Sequence, residues 1–342
     1  MSNRTLAVVT GGAGFIGSHM VDLLLDHGRR VHVIDNLVGG RLENLQLHRQ
    51  DPNLRIEVRD IRELATDDPL FHGAQHVFHF AGIGDIVPSI DRPVEYLSTN
   101  VLGTIKVLEA ARHARVRKLV YAASSSCYGL AEVPTGESAP IRPEYPYALS
   151  KYMGEEAVLH WGRVYKLPVN SIRIFNAYGT RSKTSGAYGA VFGVFLAQKL
   201  AGKPFTVVGD GTQRRDFVYV TDVARAFSLA TTTERVNQVY NLGAGNPQSV
   251  NRLVELLGGE VIRLPKRPGE PDCTWADTSK IRAELGWEQK VTFEEGVATM
   301  LKNIEYWRQA PVWDPASIEA ATRTWFAFLA GKEEAAAGMV KA

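Results

Sequence analysis

Two short stretches carry side chains that can do chemistry. Residues 124–129 read SSSCYG at the end of the apolar run KLVYAAS, and residues 147–151 read YALSK. A strand over KLVYAAS would deliver Ser124 at its carboxyl end. A helix opening at YALSK would carry Tyr147 and Lys151 four residues apart, on one face. A phenol beside an ammonium is a proton carrier, because the positive charge favours the phenolate and makes the tyrosine a usable base near neutral pH. A serine hydroxyl in the same place would hydrogen-bond the oxygen that gains or loses the proton. Tyr-x-x-x-Lys also arises by chance in many helices, so the reading depends on the elements that bring these groups together.

Those elements are legible. The first half of the chain alternates β-branched runs with amphipathic stretches: TLAVVT, HMVDLLLDHG, RVHVID, LRIEV, HVFHFAG, VEYLSTNVLGTIKVLEAARHA and KLVYAAS. The alternation predicts an α/β fold, a Rossmann-type doubly wound parallel sheet with helices on both faces. After VNSIRIFN the pattern loosens into Gly- and Pro-rich loops with short segments such as FTVVGDG and VNRLVELLGG, which read as a smaller C-terminal α/β substrate domain. The expected division is 1–176 for the larger domain, 177–330 for the smaller one with the chain free to cross back, and a flexible tail over 331–342.

Right after the first strand comes TGGAGFIGSH, with Gly11, Gly14 and Gly17 spaced G-x-x-G-x-x-G around Phe15 and Ile16. Such glycines let the chain reverse, let a pyrophosphate approach the backbone and let helix pack on strand, with the helix N-terminus facing the anion. Asp35 ends the second strand eighteen residues after Gly17, followed by Asn36. A carboxylate there accepts both ribose hydroxyls and repels a 2′-phosphate, so the expected cofactor is NAD rather than NADP. Asp60 and Ile61, where a third strand ends, suit the adenine edge. Phe80, Ala81 and Gly82 end a fourth strand, where small residues leave room for the cofactor.

With 342 residues and a net charge of +2 the chain can bury a large core and offers no broad basic field, so neither nucleic acid nor an anionic membrane is an expected partner. LAVVTGGAGFIG is broken by glycines and too short to span a bilayer. Two cysteines, Cys127 and Cys273, make no disulfide framework and no zinc spacing, which fits a reducing compartment, the cytoplasm. His72, His76 and His79 straddle a loop and a strand rather than one helix face, so no metal site is expected.

Taken in order, these motifs resemble the extended short-chain dehydrogenase/reductases, in particular the NAD-dependent nucleotide-sugar epimerases and dehydratases, over nearly the whole chain to about residue 310. The resemblance implies that Ser124, Tyr147 and Lys151 are the catalytic triad, with Lys151 also holding the nicotinamide ribose, and that Asn100 in STNVLGT organises the active-site helix. It implies a nucleotide diphosphate sugar as substrate. Asn176 in RIFNAYG resembles the residue that contacts the diphosphate, and Arg215 in RRDFVYV and Arg267 in PKRPGEPD resemble the arginines that clamp it.

The reaction follows from the neighbours of Ser124. The 4,6-dehydratases of this group carry an Asp-Glu pair there and related decarboxylases usually keep the Glu, whereas this chain has Ser125 and Ser126, and a hydroxyl does not replace a carboxylate as an acid/base. That leaves 4-epimerisation through a transient 4-keto sugar, the dehydratase and decarboxylase reactions being the alternatives and a non-catalytic NAD-binding sensor the reading from another class. Cys127 is one position away from the cysteine of GDP-mannose 3,5-epimerases and is expected to be a packed thiol. The strings AASSSCYG and SGAYGAVF resemble UDP-N-acetylglucosamine and related UDP-sugar 4-epimerases. Gly84, where the best-known UDP-galactose 4-epimerases have a lysine, departs from that type. Thr274, just before Trp-Ala-Asp, stands where a tyrosine excludes an N-acetyl group and a small residue admits it, so UDP-glucose and UDP-N-acetylglucosamine are both expected substrates. The helices containing VEYLSTNVLGTIKVLEAARHA and YALSKYMGEEAVLHWGRVY, with Val101, Ile105, Leu108, Tyr152 and Trp161, are expected to form a homodimer contact like that of related enzymes.

Overall fold

The computed structural model describes residues 5–182, 191–267 and 269–329. The expected tail over 331–342 and residues 185–190 of SGAYGAVF therefore lie outside the described residues. In chain order the first part comprises β1 (Leu6–Thr10), α1 (Phe15–Asp26), β2 (Arg30–Asp35), β3 (Leu54–Val58), β4 (Ala74–His79), α2 (Val87–Asp91), α3 (Pro93–Leu97), α4 (Gly103–His113), β5 (Lys118–Ser124), α5 (Pro146–Tyr165) and β6 (Val169–Ile174). There follow β7 (Asn176–Tyr178), α6 (Val191–Leu200), β8 (Phe205–Val208), β9 (Arg214–Arg215), β10 (Phe217–Tyr219), α7 (Val220–Thr232), β11 (Gln238–Leu242), β12 (Gln248–Ser249), α8 (Val250–Leu257), β13 (Val261–Leu264), α9 (Ser279–Leu285), α10 (Phe293–Lys302) and α11 (Pro315–Leu329).

Seven strands form one sheet in the order β11-β6-β5-β4-β1-β2-β3, every neighbouring pair parallel. The runs LAVVT and KLVYAAS are buried from end to end because helices cover both faces. On one face α1, α7 and α9 press Met20, Val21, Leu24, Phe227 and Ile281 onto the sheet. On the other, α4 and α5 contribute Val107, Leu108, Ala111 and Val158. Strand order reverses between β1 and β4, which opens a crevice beyond the carboxyl ends of the strands. A separate aromatic core around Phe192, Phe195, Phe205, Phe217, Phe293 and Trp307 gathers α6, β8, β10 and α10. The parallel pair β8–β13 and the short pairs β7–β10 and β9–β12 lie in this half, but β11 returns to the main sheet beside β6.

The stretch VEYLSTNVLGTIKVLEAARHA is not one regular helix. α3 runs into a single widened π turn at Ser98–Leu102 before α4 begins. Leu108 is fully buried in the sheet core, contrary to the expectation that it is free for a partner.

Candidate active site

The turn between β1 and α1 is shaped by close backbone contact. Gly11 has φ +68, and a Cβ there would come 2.6 Å from the Ala81 nitrogen; a Cβ at Gly17 would collide with the Gly11 carbonyl oxygen. Gly14 caps α1 with no side-chain cap and no acidic residue in the first turn, so the first backbone N–H groups of the helix are left for an anion. Asp35 is buried at the end of β2, its carboxylate accepting from Ala13 N at 3.0 Å and Leu37 N at 2.8 Å. Burial raises its pKa and these N–H groups oppose the rise. Asn36 and Ile61 line the same cleft. Asp60 does not; it is held by both ends of Arg62 and by Asn36, and the Arg62 hydrogen bonds bring its pKa down to about 2. Asp60 thereby positions Asn36 and Arg62, which both line the cleft.

Beyond Phe80, Ala81 and Gly82 lies the chemical end. Ser124 closes β5, its Oγ accepts from Ser126 N at 3.2 Å, and it lies near enough to Tyr147 to lower that phenol's pKa. Tyr147 and Lys151 share the first turns of α5. Lys151 is buried, its Nζ 4.4 Å above the Tyr121 ring. Asn100 occupies the widened turn, where its amide accepts from Ile83 N at 2.8 Å and donates to Ile83 O at 3.1 Å and Ser150 Oγ at 2.9 Å. It thereby ties the loop after Gly82 to the catalytic helix. Behind it, buried His79 sits between Thr10 Oγ1 at 2.6 Å and Thr104 Oγ1 at 2.9 Å, and burial drives its pKa down to about 3. Among the described residues no group of three His, Cys, Asp or Glu side chains could hold a metal.

The electrostatics differ from the simple phenol–ammonium expectation. Burial raises the Tyr147 pKa; the Ser124 hydroxyl lowers it, and the charge of Asp85 raises it further. Burial also depresses Lys151 to about 7, against the pull of the Glu155 carboxylate. Glu155 lies one turn along α5, buried and bound by Arg173 Nε at 3.0 Å and Ser171 Oγ at 2.7 Å. Desolvation dominates because α5 packs these groups against the interior strands β5 and β6, a tertiary effect that spacing alone does not reveal.

Residues 7–243 match the NAD dependent epimerase/dehydratase family. The chain belongs to this family. It is 36% identical over 301 residues to a putative UDP-glucose 4-epimerase of Methanocaldococcus jannaschii, covering 85% of this chain and 96% of that one. The UDP-glucose 4-epimerase of Thermotoga maritima, solved with UDP-glucose, superposes with a TM-score of 0.81 at 34% identity, covering 89% of this chain and 99% of that one. A UDP-N-acetylglucosamine 4-epimerase from Methanobrevibacter ruminantium, in complex with UDP-N-acetylmuramic acid, superposes at 0.82 with 30% identity over 88% of this chain and 99% of that one. NAD is the cofactor, and this chain's epimerase/dehydratase fold suits it: the glycine cradle, the uncapped N-terminus of α1 and Asp35 face one cleft of ≈ 830 Å³.

Ser125, Ser126, Asn176, Arg215, Arg267 and Thr274 all line the same cleft. Thr274 Oγ1 donates to Asn176 Oδ1 at 2.7 Å, which fixes the amide orientation. Arg215 donates to Glu270 Oε1 at 2.7 Å, and Arg267 lies 3.9 Å from the other Glu270 oxygen, so one carboxylate spaces two guanidinium groups. Sequence reasoning missed Glu270, although it lies in the quoted RPGEPD. It also missed Glu155, whose i+4 spacing from Lys151 was a usable signal. Cys127 is buried, and burial pushes its thiol up to about 12, as suits a packed thiol. Asp85 and Glu144 line the cleft as well, bringing carboxylates from loops that the Ser125–Ser126 comparison did not consider.

Proposed function

We propose that this chain catalyses NAD-dependent 4-epimerisation of a nucleotide sugar of the UDP-glucose and UDP-N-acetylglucosamine type through a transient 4-keto intermediate. The observation that carries the proposal is the meeting of Ser124 and Tyr147 with the glycine cradle and the Arg215–Arg267 pair in one cleft, with buried Lys151 one turn along α5 from Tyr147 and serines rather than carboxylates following Ser124. Bound NAD supplies a reversible hydride acceptor. Tyr147 takes the proton from the sugar O4 and returns it, while Ser124 holds that oxygen in both directions. Lys151, one turn along α5, would when charged favour the Tyr147 phenolate against the burial that opposes it. Asn176, Arg215 and Arg267 hold the diphosphate while the sugar turns about its linkage to present the other face of C4. Phe15, Ile16, Asn36, Ile61 and Asn100 shape the cofactor side.

Residues 1–176 would form the cofactor half and 177–330 the sugar half, with β11 the exception that rejoins the first. Outward-facing residues of the α4–α5 layer would join two chains into a homodimer. Two free thiols suit the cytoplasm, and among the described residues no helix is long and apolar enough to cross a membrane. A 4,6-dehydratase is the second reading, favoured by Asp85 and Glu144 in the cleft. Incubation with dTDP-glucose and GDP-mannose followed by alkali separates the two: a strong new absorbance from a 4-keto-6-deoxy sugar would overturn the epimerase reading, and none is expected.

A further inference from the structure

The similarity to the Thermotoga enzyme uses 99% of that chain but 89% of this one. The last described stretch of this chain is not an appendage. α11 is capped by Asp314, whose Oδ1 accepts from Ser317 N at 2.7 Å, and Ile318 anchors its first half in the aromatic core beside Trp307. Its second half crosses to α2, where Trp325 and Leu329 pack with Val87, Ile86, Ile90 and Tyr145. The helix thus straps the C-terminal core to the first half of the chain at the chemical end of the cleft. Trp325 is 6% exposed yet lines the cleft, with its ring centroid 5.5 Å from that of Tyr145. Tyr145 in turn stacks on Tyr147 at 6.4 Å and 8°.

We propose that α11 forms the end wall of the sugar subsite, and that Trp325 with Tyr145 makes it selective for neutral hexosyl groups over uronates. The inference rests on the nucleotide-sugar reading of the cleft. A group attached next to the reacting C4 carbon meets an aromatic face there. An uncharged hydroxymethyl group packs against that face, whereas a carboxylate pressed against it gives up hydration that the ring faces do not return. Asp85, whose charge already acts on Tyr147, adds repulsion to a substrate carboxylate.

The test is calorimetric binding of UDP, UDP-glucose and UDP-glucuronate to the full-length NAD-loaded protein, in the wild type and in Trp325→Ala, Trp325→Phe and Phe328→Ala. Phe328 is on the same helix but 69% exposed, and serves as the control. In the wild type UDP-glucose should bind at least about tenfold more tightly than UDP-glucuronate. Trp325→Ala should weaken UDP-glucose about tenfold, leave UDP unchanged and narrow the gap to the uronate, while Trp325→Phe keeps most of the selectivity. Equal losses for UDP and UDP-glucose, an unchanged UDP-glucose affinity in Trp325→Ala, or no wild-type preference over the uronate would overturn the wall. A protein that binds with this selectivity but interconverts no sugar would contradict the epimerase reading alone.

Discussion

Tyr147 is the residue on which the chemistry turns. Replacing it with Phe keeps the ring that stacks on Tyr145 and removes the proton carrier, so turnover should fall by about 10³ with NAD binding retained, measured by steady-state kinetics and cofactor titration. Lys151 gives a second expectation. Its folded pKa of about 7 lies below the 10.5 of an ordinary lysine, so between those values the unfolded chain holds a proton that the native chain lacks, and native stability rises with pH across that window. In NAD-free protein the difference in unfolding free energy between wild type and Lys151→Met should change by ~1.4 kcal/mol per pH unit from pH 7 toward 10. A difference independent of pH would show that Lys151 is charged in the fold. Thr274 carries a selectivity expectation. A tyrosine there loses the hydrogen bond to Asn176 and fills the expected N-acetyl space, so Thr274→Tyr should cut UDP-N-acetylglucosamine turnover more than UDP-glucose turnover. Positions of Ser124, Tyr147 and Lys151 were legible because strand end and helix face follow from spacing. Their proton affinities were not, because Asp85, Glu155 and the depth of burial arrive from elsewhere in the chain.

At the level of elements, the β1–α1 turn tolerates no side chain where the glycines approach backbone. Gly17→Ala would drive a methyl group into the Gly11 carbonyl, so the turn must open; NAD affinity should drop by at least an order of magnitude with a lowered Tm, read by cofactor titration and thermal unfolding. Unchanged NAD affinity would remove the turn from the cofactor site. Alternating apolar runs made β1 to β6 readable, since central parallel strands are buried on both faces and cannot hide their pattern. The widened turn at Ser98–Leu102 was not readable, because the hydrogen bonds that accompany it, between Asn100 and the Ile83 backbone, reach seventeen residues back and leave no local mark. β11 rejoining the main sheet and α11 crossing to α2 are likewise long-range choices made by packing partners more than 60 residues away.

For the whole molecule, the outward residues of the α4–α5 layer include Leu102, Leu149 and Met153, each at least 40% exposed. They replace Leu108 in the expected dimer contact, and light scattering at micromolar concentration should give a dimer that Met153→Glu weakens toward monomer. A wild-type monomer would contradict it. In the proposed reaction hydrogen leaves C4 and comes back to C4. Proton NMR of UDP-glucose incubated with the protein in D2O buffer reads this directly, alongside absorbance at 340 nm. The account predicts UDP-galactose that keeps protium at both C4 and C5, formed without net NADH. Deuterium at C5, a 4-keto-6-deoxy product, accumulating NADH or no interconversion of UDP-glucose or UDP-N-acetylglucosamine would contradict it.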